Sequence, residues 1–241
     1  FPSSPLAELK RLLPEGSVHY DPGIYPAEAV ALARRSDMAI VFVVKPESEG
    51  FDSPDLSLPW GQDDLIDAVA SVNPNTVVVL ETGNPTSMPW RDKVKAIVQA
   101  WYPGQAGGQA IAEVLTGVVN PSGRLPITFP ADIAQTPRPE LPGFGDPYGT
   151  PLTIHYTEGA EIGYRWFAKT GAKPLYPFGY GLSYTQFEYR DLRLSTQDTR
   201  RRSTVSKGLR PGETIPYPQQ TFKRSGRALS SFCLPAMALN P

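Results

Sequence analysis

The hydrophobic positions of this chain form two kinds of pattern, continuous apolar runs and helical repeats. Continuous runs rich in Val and Ile predict buried parallel strands at 38–44, 76–80 and 96–100. Apolar residues at helical spacing predict helices at 6–13, 26–35, 62–69 and 109–115. Since each strand is followed by a helix or a helical crossover, the pattern predicts an α/β fold with the three strands parallel in one helix-covered sheet.

Weaker patterns lie between and after these elements. Short strands are predicted at 17–20 and 124–129, and alternating polarity over 187–194 predicts a half-buried strand. Prolines and glycines over 131–153 predict a long connecting loop. The aromatic and glycine-rich stretch 156–185 is typical of short strands and corners.

An acidic segment leaves the carboxyl end of the first predicted strand. Its four carboxylates are Glu47, Glu49, Asp52 and Asp55. Gly50 allows close backbone approach to a ligand, and Phe51 offers an aromatic wall. Composition alone favours a solvated loop. Its position favours a ligand site, because open α/β sheets bind ligands at the carboxyl ends of their strands.

Three other features have ordinary interpretations beside functional ones. Glu81 ends the second strand, where it is either a satisfied carboxylate or part of the same cleft as Glu49. The glycines at 104–108 lack the dinucleotide and P-loop patterns, so they indicate a tight strand-to-helix turn. His19 has no second His or Cys near it in sequence and is interpreted as a strand residue, not a metal ligand.

Composition narrows the classes of function. A net charge of −1 disfavours a nucleic-acid or membrane-surface partner, and no apolar stretch approaches the ~20 residues of a membrane helix. The single Cys233 excludes an intrachain disulfide. The chain starts at Phe1 with no signal-peptide pattern, so we expect an internal cut and leave the compartment open.

The acidic segment, Glu-Ser-Glu-Gly-Phe-Asp at 47–52 followed by Pro-Asp-Leu-Ser-Leu-Pro at 54–59, resembles the acid/base loop of glycoside hydrolase family 3. The nearest branch is its bacterial β-glucosidases, and the resemblance runs over about residues 5–194. Supporting motifs are Trp-Tyr-Pro-Gly-Gln at 101–105, Asn-Pro-Ser-Gly-Arg-Leu-Pro at 120–126, and the segments 156–167 and 174–185.

The resemblance implies a three-layer α/β sandwich over 1–183, the second domain of such enzymes. A truncated start of a fibronectin-III-like β domain is then expected at 184–195. Residues 196–241 lose strand periodicity and carry eight basic residues against Asp198 and Glu213, so we expect a disordered or out-of-frame tail. A basic nucleic-acid arm is the disfavoured alternative.

Matched position by position, the resemblance makes Glu49 the general acid/base, with Glu47 as the fallback. Phe51 and Asp52 are expected to contact the substrate. The aspartate nucleophile belongs to a preceding (β/α)8 barrel in the family, so this chain is expected to contain none. No metal and no cofactor are expected.

The function implied is part of a retaining, exo-acting β-glucosidase, a hydrolase of terminal β-D-glucosyl residues. Its expected partners are a β-glucoside or oligosaccharide substrate and the barrel domain. A β-xylosidase or related family 3 exo-glycosidase is one alternative, and a non-catalytic carbohydrate-binding or interaction module is another. The aromatics Tyr164, Trp166, Tyr176 and Tyr180 are either core residues or sugar-stacking residues, and packing is the favoured interpretation.

Two residues beside the acidic loop depart from the branch. Ser53 stands where the branch usually has Arg, which is expected to anchor the loop electrostatically. Trp60 stands where the branch usually has Gly. Both departures are expected to alter the conformation of the loop.

Overall fold

The computed structural model describes residues 3–50, 53–147 and 149–186, and the backbone of 237–239. The described residues up to Tyr184 and the segment 237–239 belong to one compact unit. Its strands are β1 (Ala39–Lys45), β2 (Thr76–Thr82), β3 (Ala96–Gln99) and β4 (Met237–Leu239). The described helices are α1 (Pro5–Leu12), α2 (Pro26–Arg34), α3 (Gln62–Ala70), α4 (Gly107–Leu115) and α5 (Tyr164–Thr170), with 3₁₀ turns at Arg91–Lys93 and Ile133–Gln135.

The sheet has the order β1-β2-β3-β4. β1 pairs with β2, and β2 with β3, in parallel, which confirms the predicted α/β fold and the three neighbouring parallel strands. The backbone of β4 pairs antiparallel with β3, a pairing that the sequence pattern did not predict. All three parallel strands therefore end at the same edge of the sheet.

Alternate residues of the strands bury their side chains on opposite faces. Val78 and Leu80 of β2 pack in one apolar cluster with Ile66 of α3. Val77 and Val79 pack in the other cluster with Ile111 of α4. Helices therefore cover both faces, because a parallel sheet with two apolar faces must bury each of them. This gives the three-layer arrangement expected from the resemblance.

Hydrogen bonds and one close packing contact hold helices α1 and α2 in place. α1 packs on α4, and Ser3 bonds the start of α4: its Oγ accepts from the backbone N–H of Gln109 at 3.1 Å. An added Cβ at Gly108 would lie 2.6 Å from the carbonyl oxygen of Ser3. On the other face, the buried amide of Asn73 donates to the carbonyl of Ala33 at 2.9 Å and holds the end of α2.

Three local predictions are wrong. Residues 17–20 form no strand, and His19 and Tyr20 are exposed, because no neighbouring strand in the described part of the chain pairs with them. Residues 124–129 form an isolated bridge from Phe129 to Tyr176 instead of a strand, because Pro126 within the segment has no backbone N–H to donate. Segment 164–170, predicted as strand and corner, is α5, bounded by two glycines with positive φ and packed through Phe167.

The remaining expectations concern the loop at 131–153, the strand at 187–194 with the tail after it, and the absence of a membrane helix. The loop predicted over 131–153 is irregular where it is described, apart from the 3₁₀ turn at Ile133–Gln135. The fibronectin-III-like strand at 187–194 lies outside the described residues, as does the tail except for β4. No helix in the described part of the chain is both long enough and apolar enough to cross a membrane.

Candidate active site

The loops that leave the three parallel strands meet at the carboxyl edge of the sheet. Glu47, two residues after β1, lies at their junction. Its Oε2 accepts hydrogen bonds from the backbone N–H of Gly83 at 2.6 Å and of Asn84 at 2.9 Å. Its Oε1 accepts from the side-chain amide of Asn84 at 2.9 Å. The loop after β1 is therefore bonded to the loop after β2.

The loop after β3 joins this cluster through Tyr102. Its hydroxyl donates to the carbonyl of Lys45 at 2.5 Å and lies 3.4 Å from Oε2 of Glu47. Burial of the ring, and then the charge of Glu47, raise the pKa of Tyr102. The packing at Gly83 is tight and favours glycine, since an added Cβ would lie 3.0 Å from both Glu47 Oε2 and the Tyr102 ring.

The acidic segment returns to β1 through Lys45. This lysine is buried, and its Nζ donates to the backbone carbonyl of Asp55 at 3.0 Å. The Asp55 carboxylate accepts from the hydroxyl and backbone N–H of Ser57, and these bonds hold the pKa of Asp55 below its usual value. The segment from 46 to 55 is thus tied to the sheet at both ends.

The start of α3 is also bonded to the strand edge. The side chain of Gln62 exchanges two hydrogen bonds with the backbone of Val44, at 2.9 and 2.8 Å. Asp63 accepts from the backbone of Leu58 at 3.0 Å and from the indole of the buried Trp90 at 2.7 Å. These contacts fix the exit of the acidic segment into α3.

Glu49 lies between these anchors and is exposed. Among the described residues, its carboxylate forms no hydrogen bond and no ion pair. The next residue, Gly50, has φ +80°, and apart from its chain neighbours no atom of the described residues lies within 4 Å of the position that a Cβ would take. The loop therefore presents one carboxylate to solvent, while Glu47 is bonded to the protein.

Glu81 occupies the end of β2, in register with Val44 of β1. Its side chain is partly buried, and this burial raises the pKa of its carboxyl group. The loop that follows it, at Gly83 and Asn84, contacts Glu47, two residues before Glu49. A role for Glu81 itself stays a prediction.

Comparison with known proteins identifies the family. The model of the glycosyl hydrolase family 3 C-terminal domain matches residues 2–184. The chain belongs to glycoside hydrolase family 3. This confirms the resemblance drawn from the acidic segment and the later motifs.

Relatives of this family 3 chain carry β-glucosidase names. It is 46% identical over 183 residues to thermostable beta-glucosidase B of Acetivibrio thermocellus, covering 74% of this chain and 23% of that protein. It is similar to DesR, a beta-glucosidase from Streptomyces venezuelae solved in complex with D-glucose, with 50% identity and a TM-score of 0.58 over 67% of this chain and 20% of DesR. A family 3 beta-glucosidase of Neurospora crassa matches with a TM-score of 0.68 and 36% identity, over 80% of this chain and 25% of that one.

The family 3 chain therefore spans about 20–25% of the length of these relatives. Of the predicted site residues, the structure places Glu47 and Glu49 on one loop. Phe51 and Asp52 lie outside the described residues. Within the described part of the chain, no three His, Cys, Asp or Glu side chains form a group that could hold a metal ion.

The family's aromatic motif serves mainly for packing. Tyr176 is buried with its ring edge-on to Phe129 at 6.3 Å, and Tyr180 lies 5.1 Å from Tyr176. Trp166 donates its indole N–H to the carbonyl of Gln135 at 2.8 Å. Tyr164 is exposed and contacts Phe178, whereas Trp166 and Tyr180 are half-buried.

Sequence reasoning missed two residues of this family 3 site. Lys45 ends an apolar strand, where a lysine is normally solvated, and this position was the available signal for a buried anchor. Tyr102 was noted only as part of a motif. Its bond to the carbonyl of Lys45 links positions 57 apart in the chain, and no local pattern indicates such a contact.

Proposed function

We propose that this chain is the second domain of a retaining, exo-acting β-glucosidase and supplies Glu49 as its general acid/base. The observation that carries the proposal is the contrast between the two glutamates of the loop. Glu47 is bonded through both oxygens, whereas Glu49 is exposed at the carboxyl edge of the sheet and has no partner among the described residues. A general acid must have a free oxygen within hydrogen-bond reach of the leaving group.

The family and the names of the relatives support the proposed substrate class. DesR was solved with D-glucose, and the other two relatives are beta-glucosidases. These names favour a terminal β-D-glucosyl residue over the xylosyl alternative. Membership of a glycoside hydrolase family also favours a catalytic function over that of a carbohydrate-binding module without activity.

The proposed chemistry uses two carboxyl groups about 5–5.5 Å apart, on either side of the glycosidic bond. A nucleophilic aspartate, supplied by a barrel domain, attacks the anomeric carbon. Glu49 donates its proton to the leaving oxygen as that bond breaks. In the second half, Glu49 takes a proton from water, which attacks the glycosyl-enzyme and restores both carboxyl groups.

The remaining loop residues are assigned supporting roles. Phe51 and Asp52 lie two and three residues after Glu49, so we propose that they contact the sugar or the aglycone. Ser53 lacks the charge of the arginine that the branch usually carries. In this chain the buried Lys45, bonded to the carbonyl of Asp55, supplies a positive charge at the end of the same loop.

The test is leaving-group dependence in an intact enzyme, formed by joining this chain to the barrel domain of a family 3 β-glucosidase. Glu49→Gln is expected to slow glucosides with poor leaving groups by about 10²–10⁴-fold, because these need the proton most. Activated aryl glucosides are expected to lose less in the first step. Azide is expected to rescue Glu49→Ala, since it attacks the glycosyl-enzyme without help from a base.

Glu47→Gln is the matched comparison, two residues away on the same loop. It is expected to slow the enzyme far less than Glu49→Gln and to show no azide rescue. If the leaving-group dependence and the rescue follow Glu47 instead, the acid/base assignment moves to Glu47. If neither residue affects an active fused enzyme, the proposed role of this loop is wrong.

A further inference from the structure

We propose that Glu47 is a positioning residue that fixes the Glu49 loop against the loops leaving β2 and β3. The inference rests on the proposed function, in which Glu49 is the acid/base. It extends that function by assigning a separate role to the second glutamate of the loop.

Three hydrogen-bond donors surround the carboxylate of Glu47. Two successive backbone N–H groups, of Gly83 and Asn84, point at one carboxylate oxygen, and the Asn84 amide bonds the other. Successive backbone N–H groups form a concave binding site for an anion. A carboxylate satisfies all three donors, whereas a glutamine has one acceptor oxygen and an NH₂ group that cannot accept.

The residues that contact Glu47 come from two different strand-end loops. Gly83 and Asn84 belong to the loop after β2, and Tyr102 to the loop after β3. Tyr102 touches both Glu47 and the carbonyl of Lys45, at the base of the Glu49 loop. The Glu47 carboxylate therefore joins all three strand-end loops in one cluster.

Glu49 lies only two residues along the chain from Glu47. Two residues span at most about 7 Å, so the position of Glu47 restricts where Glu49 reaches. Glu49 forms no hydrogen bond or ion pair of its own among the described residues, and Gly50 after it is conformationally permissive. Since a misplacement of 1 Å costs up to about 10²-fold in rate, loss of the Glu47 contacts affects catalysis through Glu49.

The decisive experiment is a double-mutant cycle in the barrel-joined enzyme with Glu47→Gln, Glu49→Gln and both together. The measured quantity is kcat/KM for an unactivated aryl β-glucoside. Glu47→Gln alone is expected to lower it about tenfold, through kcat more than KM. In the Glu49→Gln background the same change is expected to cost less than twofold, because a positioning residue has nothing left to position.

The pH profile distinguishes positioning from proton transfer. The alkaline limb of kcat/KM reports the general acid of the free enzyme. It is expected to disappear in Glu49→Gln and to persist in Glu47→Gln. Additive losses in the cycle, or loss of the alkaline limb in Glu47→Gln, would overturn the proposal. Glu15→Gln, at an exposed glutamate after α1, is the control for removing one negative charge.

A second readout uses the 241-residue chain itself and needs no catalysis. In Glu47→Gln, amide hydrogen exchange at Gly83 and Asn84 is expected to accelerate about tenfold, while Glu49→Gln leaves it unchanged. Unchanged exchange in Glu47→Gln contradicts the contacts. If Glu47→Gln does not fold, Asn84→Ala, which removes only the amide bonded to Oε1, takes its place with a smaller effect expected in the same cycle.

The two proposals fail in different ways. If Glu49→Gln leaves kcat/KM near wild type in an active enzyme, the proposed function fails and the positioning role fails with it. If Glu49→Gln is severely impaired while Glu47→Gln matches wild type, the proposed function stands and the positioning role alone is wrong.

Discussion

Two tryptophans adopt the left-handed backbone region, and their surroundings differ. Trp60 has φ 62° and is 75% exposed, whereas Trp101 has φ 57° and packs edge-on against Phe129 at 6.1 Å. For a residue with a Cβ this conformation costs about 1–2 kcal/mol. Packing offsets that cost at Trp101, while at Trp60 little buried contact does so.

Trp60→Gly is therefore expected to stabilise the chain by about 0.5–1 kcal/mol, the relief of strain minus the greater freedom of glycine in the unfolded state. A rise of about 2 °C in Tm is the corresponding measurement. Trp101→Gly is the matched control and is expected to destabilise by about 3–5 kcal/mol, since it empties a packed site. Equal responses of the two variants would contradict the strain argument.

The buried hydroxyl of Tyr176 predicts how the stability of the chain depends on pH. Its hydroxyl is buried without a hydrogen-bond partner among the described residues, and burial raises its pKa from 10.0 to about 12. A raised folded pKa means that the unfolded chain loses this proton first, so rising pH favours unfolding. Stability from this group is full below pH 10 and falls as pH rises from 10 towards about 12.

Tyr176→Phe is expected to equal or exceed wild-type stability at pH 7 by up to about 1 kcal/mol, because it removes a buried polar group without a partner. The advantage is expected to grow between pH 10 and about pH 12. Urea denaturation of both proteins across this range measures the difference. A variant that is clearly less stable at pH 7 would show that the hydroxyl has a partner.

At the scale of elements, the contact between α1 and α4 depends on one glycine. A Cβ at Gly108 would approach backbone atoms of Ser3, Ser4 and Pro5 at 2.6–2.7 Å, and backbone cannot move aside as a flexible side chain does. Gly108→Ala is therefore expected to destabilise by about 1–3 kcal/mol, against a smaller gain in helix propensity. Gln109→Ala, at the exposed neighbour, is the control, and an unchanged denaturation midpoint for Gly108→Ala would contradict this packing.

The success of sequence reasoning varied with the kind of element. β1, β2 and β3 were predicted because each is a continuous apolar run, as is typical of buried parallel strands, although Phe42 and Val44 of β1 are exposed. The strand at 17–20 failed because a strand needs a partner, which periodicity does not report. α5 failed because aromatic composition favours strands, while packing of Phe167 and hydrogen bonding of Trp166 favour the helix.

In the candidate site, too, features set by neighbouring residues were predictable, whereas contacts between residues distant in sequence were not. The acidic loop was predicted because it follows a buried strand and carries a recognisable motif. The distinct surroundings of Glu47 and Glu49 were not predictable, since the donors to Glu47 lie 36 and 37 residues away. Two of those donors are backbone N–H groups, which every residue but proline carries, so no side-chain pattern marks them.

At the scale of the whole molecule, the proposed reaction needs a carboxylate that this chain is not expected to supply. The chain spans 23% of the length of the Acetivibrio relative. A retaining mechanism needs a nucleophile about 5–5.5 Å from the acid/base, and in the proposed function that aspartate comes from a barrel domain. One carboxylate without the other cannot form and then hydrolyse the glycosyl-enzyme.

The 241-residue chain alone is therefore expected to show no turnover of an aryl β-glucoside above the rate of a Glu49→Gln control. Joined to a family 3 barrel, it is expected to hydrolyse the same substrate with retention of configuration, followed by NMR of the released sugar. Replacing the barrel's nucleophilic aspartate by asparagine is expected to abolish this activity. Turnover by the isolated chain that survives Glu49→Gln would place the chemistry elsewhere and contradict the shared site. An inactive fusion whose barrel is active with its own second domain would show that this loop, with Ser53 and Trp60, does not support catalysis.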